Sequence, residues 1–319
     1  MKSVQLHEYG KPVTLVEAEP APLGDTDVRV AIEAAPLNPS DFLTLSGRYA
    51  VRPPLPSPVG GEGVGVVTET GAGVTAVRTG DLVLVLPNPR PGTWQEEIVV
   101  PERFVVRADP RAEVTQLATA GINAATAYLL LSYGELREGD WVVQTAANSG
   151  LGTFVNALAK LRGVRTLNVV RRADAVVRGG DAVVVSDGTL TEQIAAALAG
   201  DRPRLLLDGV SGPVVTELAA VLAPGAHIVS FGALSQQPFT LSTPHLLFKN
   251  LTVHGFWLNN WIAAAPREEI ERVYADVTAL IAEGVLRTEI AAEYALADYA
   301  RAIEHASAPG RTGKVVFTR

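Results

Sequence analysis

The spacing of apolar residues divides the chain into two parts with different rhythms. From Lys2 to about Ile122, short runs of β-branched and other apolar residues are separated by turn signals such as Thr79-Gly80-Asp81. The runs with the clearest strand character are Val28 to Ile32, Gly63 to Thr68, Leu82 to Leu86 and Glu97 to Val100. We therefore expect an all-β domain in this part of the chain.

From Trp141 onward, short apolar strands alternate with alanine-rich helical segments, which is the pattern of βαβ units around a parallel sheet. The expected strands are Trp141 to Gln144, Thr166 to Val170, Ala182 to Val185, Arg204 to Leu207, His227 to Ser230 and Leu251 to His254. A last β-rich run, Lys314 to Thr318, is expected to close back onto the N-terminal domain.

Length and composition agree with two globular domains. The chain has 319 residues, which is more than the roughly 100 to 200 of one typical domain. Hydrophobic residues make up 47% and charged residues 19%, enough apolar material for two cores. We expect residues 1–122, completed by 290–319, to form the β domain, and residues 123–289 to form the α/β domain.

Charge and hydropathy argue against several classes of partner. The formal net charge is -7 and no run is rich in Lys and Arg, so binding to nucleic acid is not expected. Met1 to Gly10 lacks the apolar run of a signal peptide, and no stretch of about 18 apolar residues occurs. We expect a cytoplasmic protein that does not enter a membrane.

No metal site is expected either. The chain contains no cysteine, which excludes disulfides, thiol catalysis and zinc sites built on thiolates. No two histidines are three or four positions apart, as metal ligands on one helical face would be. The histidines are His7, His227, His245, His254 and His305.

One segment has the order of strand, turn and helix that binds phosphate. The strand ending at Gln144 leads into Thr145-Ala146-Ala147-Asn148-Ser149-Gly150-Leu151-Gly152, where small residues allow a tight turn and a close approach of the backbone. A pyrophosphate there would meet the free N–H groups of the next helix. Ala147, Ser149 and Gly152 stand where three glycines are often found, so a purely structural turn is the alternative. Its place as the first of several βα units predicts a dinucleotide site.

The end of the next strand indicates which dinucleotide binds. Thr166 to Val170 runs into Arg171-Arg172, and the first acid that follows is Asp174. An NAD site usually offers a carboxylate to the ribose at this point, whereas guanidinium groups suit the 2′-phosphate of NADPH. We therefore predict NADPH, the alternative being two solvated arginines at a strand end.

Three blocks of sequence carry a resemblance to a known family. They are Leu37-Asn38-Pro39-Ser40-Asp41 with Gly47-Arg48-Tyr49, Ala147-Asn148-Ser149-Gly150, and Phe248-Lys249-Asn250-Leu251 with Gly255-Phe256-Trp257-Leu258. On these blocks the chain resembles, nearly end to end, a zinc-independent member of the medium-chain dehydrogenase/reductase superfamily. Within it, the similarity is greatest to the mitochondrial-type 2-enoyl thioester reductases, and then to the quinone oxidoreductases. The resemblance implies an α/β fold, with a GroES-like β domain, a Rossmann domain with a doubly wound parallel sheet, and an active-site cleft between them.

The resemblance also explains the missing metal. Zinc-dependent relatives carry a Cys near the position of Asn38 and a Gly-His-Glu block where this chain has Gly60-Gly61-Glu62. Without a Lewis acid, hydride transfer to a simple carbonyl loses its main electrostatic support. An alkene conjugated to a thioester or ketone, or a quinone, is easier to reduce, because the negative charge spreads onto an oxygen that hydrogen-bond donors can stabilise.

By the family pattern, Tyr49 is the catalytic candidate. In the enoyl thioester reductases a tyrosine in the loop after the Asn-Pro-Ser-Asp block is the proposed proton donor, and Tyr49 stands in that context. A phenol is protonated at neutral pH and can donate without further tuning. Quinone reductases generally lack this tyrosine. The alternative is an aromatic residue that packs beside Pro53 and Pro54.

The resemblance further implies NADPH contacts spread over both domains. The pyrophosphate contacts are Asn148, Ser149, Gly150, Leu151 and Gly152, and the 2′-phosphate contacts are Arg171 and Arg172. The remaining expected contacts are Asn38, Asn123, Thr126, Phe231, Gly232, Ala233, Leu234, Phe256, Trp257, Leu258 and Lys314. A packing role is the alternative for members of this second set, such as Phe231 and Phe256.

Two departures from the family pattern limit what the resemblance implies. Between Arg172 and Asp181 there are too few residues for the usual crossover helix, so this edge of the adenosine site is expected to be open. The run Ala50-Val51-Arg52-Pro53 offers little that identifies an acyl chain.

The expected function is an NADPH-dependent reduction of the activated C=C bond of a small 2-enoyl thioester, without zinc. An NADPH:quinone or enone reductase, a non-catalytic NADPH-binding sensor and a plain alcohol dehydrogenase are the alternatives. Family members usually dimerise by joining Rossmann sheets edge to edge, and the apolar run Leu251 to Gly255 offers such an edge. A homodimer is therefore expected.

Overall fold

The chain folds into two compact units in the computed structural model, which describes residues 1–88, 92–308 and 310–319. The first unit holds Met1–Ala125 and Trp261–Arg319, and the second holds Thr126–Asn260. No helix among the described residues is long and apolar enough to cross a membrane.

The strands and helices are numbered here in chain order. The strands are β1 (Lys2–Leu6), β2 (Thr14–Glu17), β3 (Asp27–Pro36), β4 (Ser57–Pro58), β5 (Gly63–Thr70), β6 (Leu82–Val85), β7 (Glu97–Pro101), β8 (Val105–Arg107), β9 (Trp141–Gln144), β10 (Arg165–Val170), β11 (Ala182–Val185), β12 (Leu205–Asp208), β13 (His227–Ser230), β14 (Thr252–Gly255), β15 (Ile290–Ala295) and β16 (Lys314–Thr318). The helices are α1 (Pro39–Leu45), α2 (Val114–Leu117), α3 (Ala125–Leu130), α4 (Gly150–Leu161), α5 (Leu190–Leu198), α6 (Val214–Val221), α7 (Thr243–Phe248), α8 (Leu258–Ala264), α9 (Arg267–Ala282) and α10 (Tyr299–Ser307).

The first unit is built mainly from antiparallel strands. Its larger sheet runs β15-β16-β3-β5-β6-β8 with β7 also paired to β3, and a smaller sheet runs β2-β1-β4. Among these pairs β15 and β16 are parallel. The core includes the rings of Trp94 and Phe317, which meet edge to face at 5.4 Å between centroids. The return of β16 onto β3 confirms the predicted closure of the C-terminal run.

The second unit is a parallel sheet in the order β11-β10-β9-β12-β13-β14. Counted within the unit, this is the order 3-2-1-4-5-6 of a doubly wound Rossmann sheet, in which ligands bind where the order reverses, between β9 and β12. All four residues of β9 are buried, as expected for a central strand covered on both faces. The predicted α/β class, with a β domain and a Rossmann domain, is confirmed.

The connection from β10 to β11 contains no helix, as its length predicted. Residues 171–181 form turns and irregular chain, and they end at Asp181, whose carboxylate accepts from the Thr166 N–H at 2.8 Å. The two strands nevertheless pair in parallel, with Leu167 opposite Ala182.

Three buried amide side chains hold this connection. Gln144 Nε2 donates to Asn156 Oδ1 at 2.8 Å and to Asn168 Oδ1 at 2.7 Å. Asn156 Nδ2 donates to the carbonyl of Arg178, and Asn168 Nδ2 to that of Ala182, both at 3.1 Å. We call Gln144, Asn156 and Asn168 the amide network. It gives donors to two backbone carbonyls of the connection and of β11.

Residues 261–289 belong to the first unit, whereas the prediction from the sequence assigned them to the Rossmann domain. The buried side chain of Tyr274 on α9 donates from its hydroxyl to the Gly121 carbonyl at 2.7 Å. Gln116 exchanges two hydrogen bonds with the backbone of Thr288. The apolar periodicity of α9 predicts a helix but does not indicate which sheet it covers.

Candidate active site

The turn after β9 has the features of a phosphate-binding turn. Ser149 caps α4, since its Oγ accepts from the Gly152 N–H at 3.1 Å. A Cβ on Gly152 would lie 2.4 Å from the carbonyl oxygen of Ala147, so a glycine is required for the helix to pack this closely against the turn. Asn148 is exposed, and Gly150 and Leu151 are partly exposed at the helix N-terminus. Free N–H groups and the positive end of the helix dipole are thus presented together.

The neighbouring loops are tied to this turn through a buried carboxylate. Asp208, at the end of β12, accepts a hydrogen bond from the Thr145 hydroxyl at 2.9 Å and others from the N–H groups of Val210 and Ser211. Burial raises the pKa of Asp208 above its ordinary value in spite of these donors. Ser211 Oγ in turn donates to the Gly232 carbonyl at 3.2 Å. The loops after β9, β12 and β13 therefore form one hydrogen-bonded edge at the reversal of strand order.

The first unit contains a buried charged cluster, which we define as Asn38, Asp41, Glu62 and Lys314. Their exposures are 3%, 5%, 0% and 8%, respectively. Asn38 joins them: its Nδ2 donates to Glu62 Oε1 at 2.7 Å, its backbone N–H donates to Asp41 Oδ2 at 2.7 Å, and its Oδ1 accepts from Lys314 Nζ. The sequence predicted Asn38 and Lys314 as site residues, and the fold brings the two into direct contact.

Burial dominates the electrostatics of the charged cluster. It raises the pKa of Asp41 to about 7 and that of Glu62 to about 7, although the Lys314 charge and several hydrogen bonds act in the opposite direction. Burial lowers the pKa of Lys314, whereas the two carboxylates raise it. Near neutral pH the carboxyl groups are therefore partly protonated, and the cluster can hold or release a proton.

Glu62 also holds the turn that carries Asn123. Residues Ala120–Ala124 form a π-helical turn, a wide turn that often occurs at functional sites. The Ile122 N–H donates to Glu62 Oε2 at 2.7 Å. A Cβ on Gly121 would lie 3.0 Å from the same oxygen, so the close approach depends on a glycine. Asn123 is thereby fixed relative to the charged cluster.

The loop of Tyr49 is supported at both ends. Tyr49 is partly buried, and its backbone N–H donates to the Leu43 carbonyl of α1 at 3.1 Å. The Tyr9 hydroxyl, from the turn between β1 and β2, donates to the Pro53 carbonyl at 2.6 Å. Gly47, with φ of +71°, packs where a Cβ would lie 3.1 Å from the Tyr9 side chain. Tyr49 therefore sits in a loop fixed by α1 on one side and by Tyr9 on the other.

Comparison with known proteins identifies the family. The alcohol dehydrogenase GroES-like domain family matches residues 24–110, and the zinc-binding dehydrogenase family matches residues 150–278. Mitochondrial enoyl-acyl-carrier-protein reductase from Bos taurus is 36% identical, with 97% of this chain and 86% of the bovine protein covered. The chain belongs to the enoyl-acyl-carrier-protein reductase family. Its predicted membership of the medium-chain dehydrogenase/reductase superfamily is thus confirmed.

Solved structures of quinone oxidoreductases are also similar to this chain over its full length. A quinone oxidoreductase from Pseudomonas syringae is 26% identical, with a TM-score of 0.87 over 100% of this chain and 99% of that one. Escherichia coli quinone oxidoreductase complexed with NADPH is 24% identical, with a TM-score of 0.89 over 100% of both chains. The second likeness shows the shared fold.

The residues of this enoyl reductase family member do not fit a zinc ion at the charged cluster. Asn38 and Gly61 occupy the positions where zinc-dependent relatives carry Cys and His, and the Lys314 ammonium donates to Asn38 Oδ1. An ammonium and an amide next to Glu62 are not a zinc ligand set. Among the described residues, no group of three His, Cys, Asp or Glu side chains could hold a metal ion.

The residues of the second unit do fit a dinucleotide. The close approach at Gly152 and the Ser149 cap leave the N-terminus of the twelve-residue helix α4 available to a diphosphate. Arg171 and Arg172 follow β10 and are exposed. Arg172 pairs with Asp174 at 3.0 Å, and because both side chains are largely exposed, a phosphate could replace that carboxylate at little cost.

The remaining predicted contacts divide by burial. Phe231 and Gly232 are partly exposed at the end of β13, and Phe231 packs on Gly209, where a Cβ would lie 2.9 Å from the ring. Phe256 and Trp257 are partly exposed after β14. Leu234 is exposed, at 62%, whereas Thr126 and Leu258 are buried, at 6% and 4% exposure. The NADPH contacts assigned to all of them stay predictions.

Several residues of the site were not predicted from the sequence. They are Tyr9, Asp41, Glu62, Thr145, Asp208 and Tyr274. Asp41 had a usable signal, because an acid three positions after Asn38 and just inside a helix is a capping pattern. The others act through contacts between distant parts of the chain, which no local pattern shows.

Proposed function

We propose that this chain binds NADPH and reduces the C=C bond of a 2-enoyl thioester without zinc. The observation that carries the proposal is the 36% identity to an enoyl-acyl-carrier-protein reductase over 97% of this chain. The position of Tyr49 in a doubly anchored loop supports it, and a candidate proton donor in such a loop argues against a non-catalytic sensor.

The second unit would hold the cofactor. The N–H groups around Asn148 to Leu151 would meet its pyrophosphate, and Arg171 and Arg172 its 2′-phosphate. When bound, NADPH supplies a hydride to the substrate. Asn123 and Thr126 stay our predicted contacts to the nicotinamide end of the cofactor.

The first unit would handle the proton. Reduction breaks the π bond of the alkene and forms two C–H bonds, one from the hydride at the β-carbon and one from a proton at the α-carbon, while the thioester stays intact. Tyr49 would donate that proton from its hydroxyl, directly or through a water, and would recover it from solvent. Hydrogen-bond donors to the thioester oxygen would stabilise the negative charge that builds up before the proton arrives.

Reduction of a quinone is the second candidate, favoured by the 26% identity and TM-score of 0.87 to the Pseudomonas syringae quinone oxidoreductase. A quinone is protonated on oxygen, which exchanges protons readily with solvent, so its reduction needs no positioned donor. Sensitivity to Tyr49 therefore separates the two candidates.

The test is NADPH oxidation by the purified protein and by Tyr49→Phe, with 2-enoyl-CoA esters, enones and quinones as substrates. Positioned proton transfer contributes roughly 10² to 10⁴-fold, so we expect kcat on enoyl thioesters to fall by about that factor while NADPH affinity is retained. Tyr299→Phe, the same change on α10 of the same unit, is the matched control. Undiminished enoyl reduction by Tyr49→Phe would instead favour the quinone reductase, and metal analysis of the active protein would reveal any zinc.

We also propose a homodimer formed through β14, which is the end strand of its sheet. Apolar side chains lie exposed on this edge and on the helix before it, with Val253 at 42%, Leu247 at 64% and Phe248 at 86%. Edge-to-edge pairing would bury them and satisfy the strand's free backbone groups. Light scattering should give twice the monomer mass, and Phe248→Glu should shift the protein towards monomer. The cytoplasmic location stays a prediction that cell fractionation can check.

A further inference from the structure

The charged cluster contains a buried ammonium that the proposed reaction does not use directly. Lys314 lies on β16, is 8% exposed, and its charge acts on both Glu62 and Asp41. Burying an ion costs several kcal/mol unless its partners are well placed, and removing one partner leaves the others uncompensated. The Lys314 side chain is therefore expected to hold its partners in one arrangement.

Asn38 connects the Lys314 and Glu62 side chains to the start of α1. Its side chain is held at both ends, by Lys314 at Oδ1 and by Glu62 at Nδ2, while its backbone N–H donates to Asp41 Oδ2. Asn38 is the N-cap residue of α1, and Pro39 at the first helical position restricts the backbone further. The start of α1 thus has little freedom to shift or rotate.

A short rigid path leads from there to Tyr49. Helix α1 has seven residues, or about two turns. The N–H groups of Arg48 and Tyr49 both donate to the Leu43 carbonyl near its end, at 2.9 and 3.1 Å. A tilt at the Asn38 end therefore moves the Tyr49 backbone. Through Glu62 and the Ile122 N–H, the cluster also fixes the turn that carries Asn123.

We propose that Lys314 is a positioning residue, whose ammonium stands in for the metal of zinc-dependent relatives and fixes Tyr49 and Asn123 through Asn38 and Glu62. The positioning effect lies within the first unit, and the NADPH contact that the sequence predicts for Lys314 stays a prediction. The effect of Lys314 on turnover rests on the function proposed above, whereas its effect on the Tyr49 loop does not.

The variants are chosen so that folding and positioning can be separated. Lys314→Met leaves two buried carboxylates without their cation and is expected to be destabilised. The double variant Lys314→Met/Glu62→Gln removes both charges, and the Asn38 amide can turn over to accept from the new amide group. Lys314→Arg keeps the charge. Lys2→Met, which changes an exposed lysine on β1, is the control.

The first measurement is ¹⁹F NMR of protein labelled with 3-fluorotyrosine. The chain has seven tyrosines, and the Tyr49 resonance is the one missing from Tyr49→Phe. We expect the double variant to shift or broaden the Tyr49 resonance. Lys314→Arg should keep this resonance close to that of the parent, and Lys2→Met should leave it unchanged. This measurement needs no substrate, so it tests the positioning even if the parent protein fails to reduce enoyl thioesters.

The second measurement is turnover of an enoyl thioester. Since a misplacement of about 1 Å can cost about 10²-fold, we expect kcat at saturating NADPH to fall by 10 to 10²-fold in the double variant. Recovery of the parent's Tm, with kcat still low and the Tyr49 resonance of the cofactor-free protein shifted, would support positioning. A folded double variant whose Tyr49 resonance in the cofactor-free protein matches the parent's would overturn the proposal, because any change in kcat or in the KM for NADPH would then come from the cofactor contact predicted for Lys314.

Discussion

The two units each contain a buried polar network, and the networks differ in charge. The amide network of the second unit is neutral and spans the gap where a crossover helix is missing. The charged cluster of the first unit combines two carboxyl groups with an ammonium. Burying charges costs more than burying amides. Holding a chain segment in place thus requires only amides. The charged cluster additionally holds the start of α1, whose other end supports the loop of Tyr49, and the turn of Asn123.

The largest effect is expected at the connection that the amide network holds. Replacing Arg171 and Arg172 with Ala should weaken NADPH binding by about 10²-fold or more, because each hydrogen bond to an ionised group contributes about 1.5 to 3 kcal/mol and two guanidinium groups are removed. NADH has no 2′-phosphate, so its dissociation constant should change little. Fluorescence titration with both cofactors measures the difference. An equal loss for both, or no loss, would show that these arginines do not read the phosphate.

A smaller effect is expected from the amide network itself. Asn168→Ala removes the acceptor of Gln144 Nε2 and the donor to the Ala182 carbonyl, so unfolding in urea should show a loss of about 1 to 3 kcal/mol. The loss should be the same at pH 5 and pH 8, since no group of the network titrates. Asn259→Ala, an amide outside the network, is the control. A pH-dependent loss would contradict the contrast between the two networks.

The third effect is a pH dependence of stability that the charged cluster shows and the amide network does not. Burial raises the pKa of Glu62 from 4.5 to about 7, so between these values the folded chain binds more protons than the unfolded chain and stability falls as pH rises. Glu62→Gln does not titrate. The stability of the parent relative to Glu62→Gln should therefore decrease from pH 5 to pH 8, by about 2 kcal/mol. Parallel stability curves for the two proteins would argue against the raised pKa.

Local patterns predicted the elements well and the contacts between them poorly. Bounds such as Trp141–Gln144 and Lys314–Thr318 follow from β-branched runs between turn residues, and the helix-free connection follows from its length. The bond from Lys314 to Asn38 spans 276 positions, and the bond from Tyr9 to Pro53 spans 44. Such pairs depend on which strands become neighbours, a property of the whole fold that no periodicity encodes.

The contact of Tyr9 with the Pro53 carbonyl couples the first residues of the chain to the loop of Tyr49. β2 is an end strand of the small three-stranded sheet, paired on one side only, and such strands open more readily than central ones. Each time the hairpin of β1 and β2 opens, the loop loses one of its two supports. When the protein is warmed, this hairpin should therefore melt locally and turnover should fall before the rest of the molecule unfolds. The loss of activity then measures the opening of a strand pair that is remote in sequence from Tyr49.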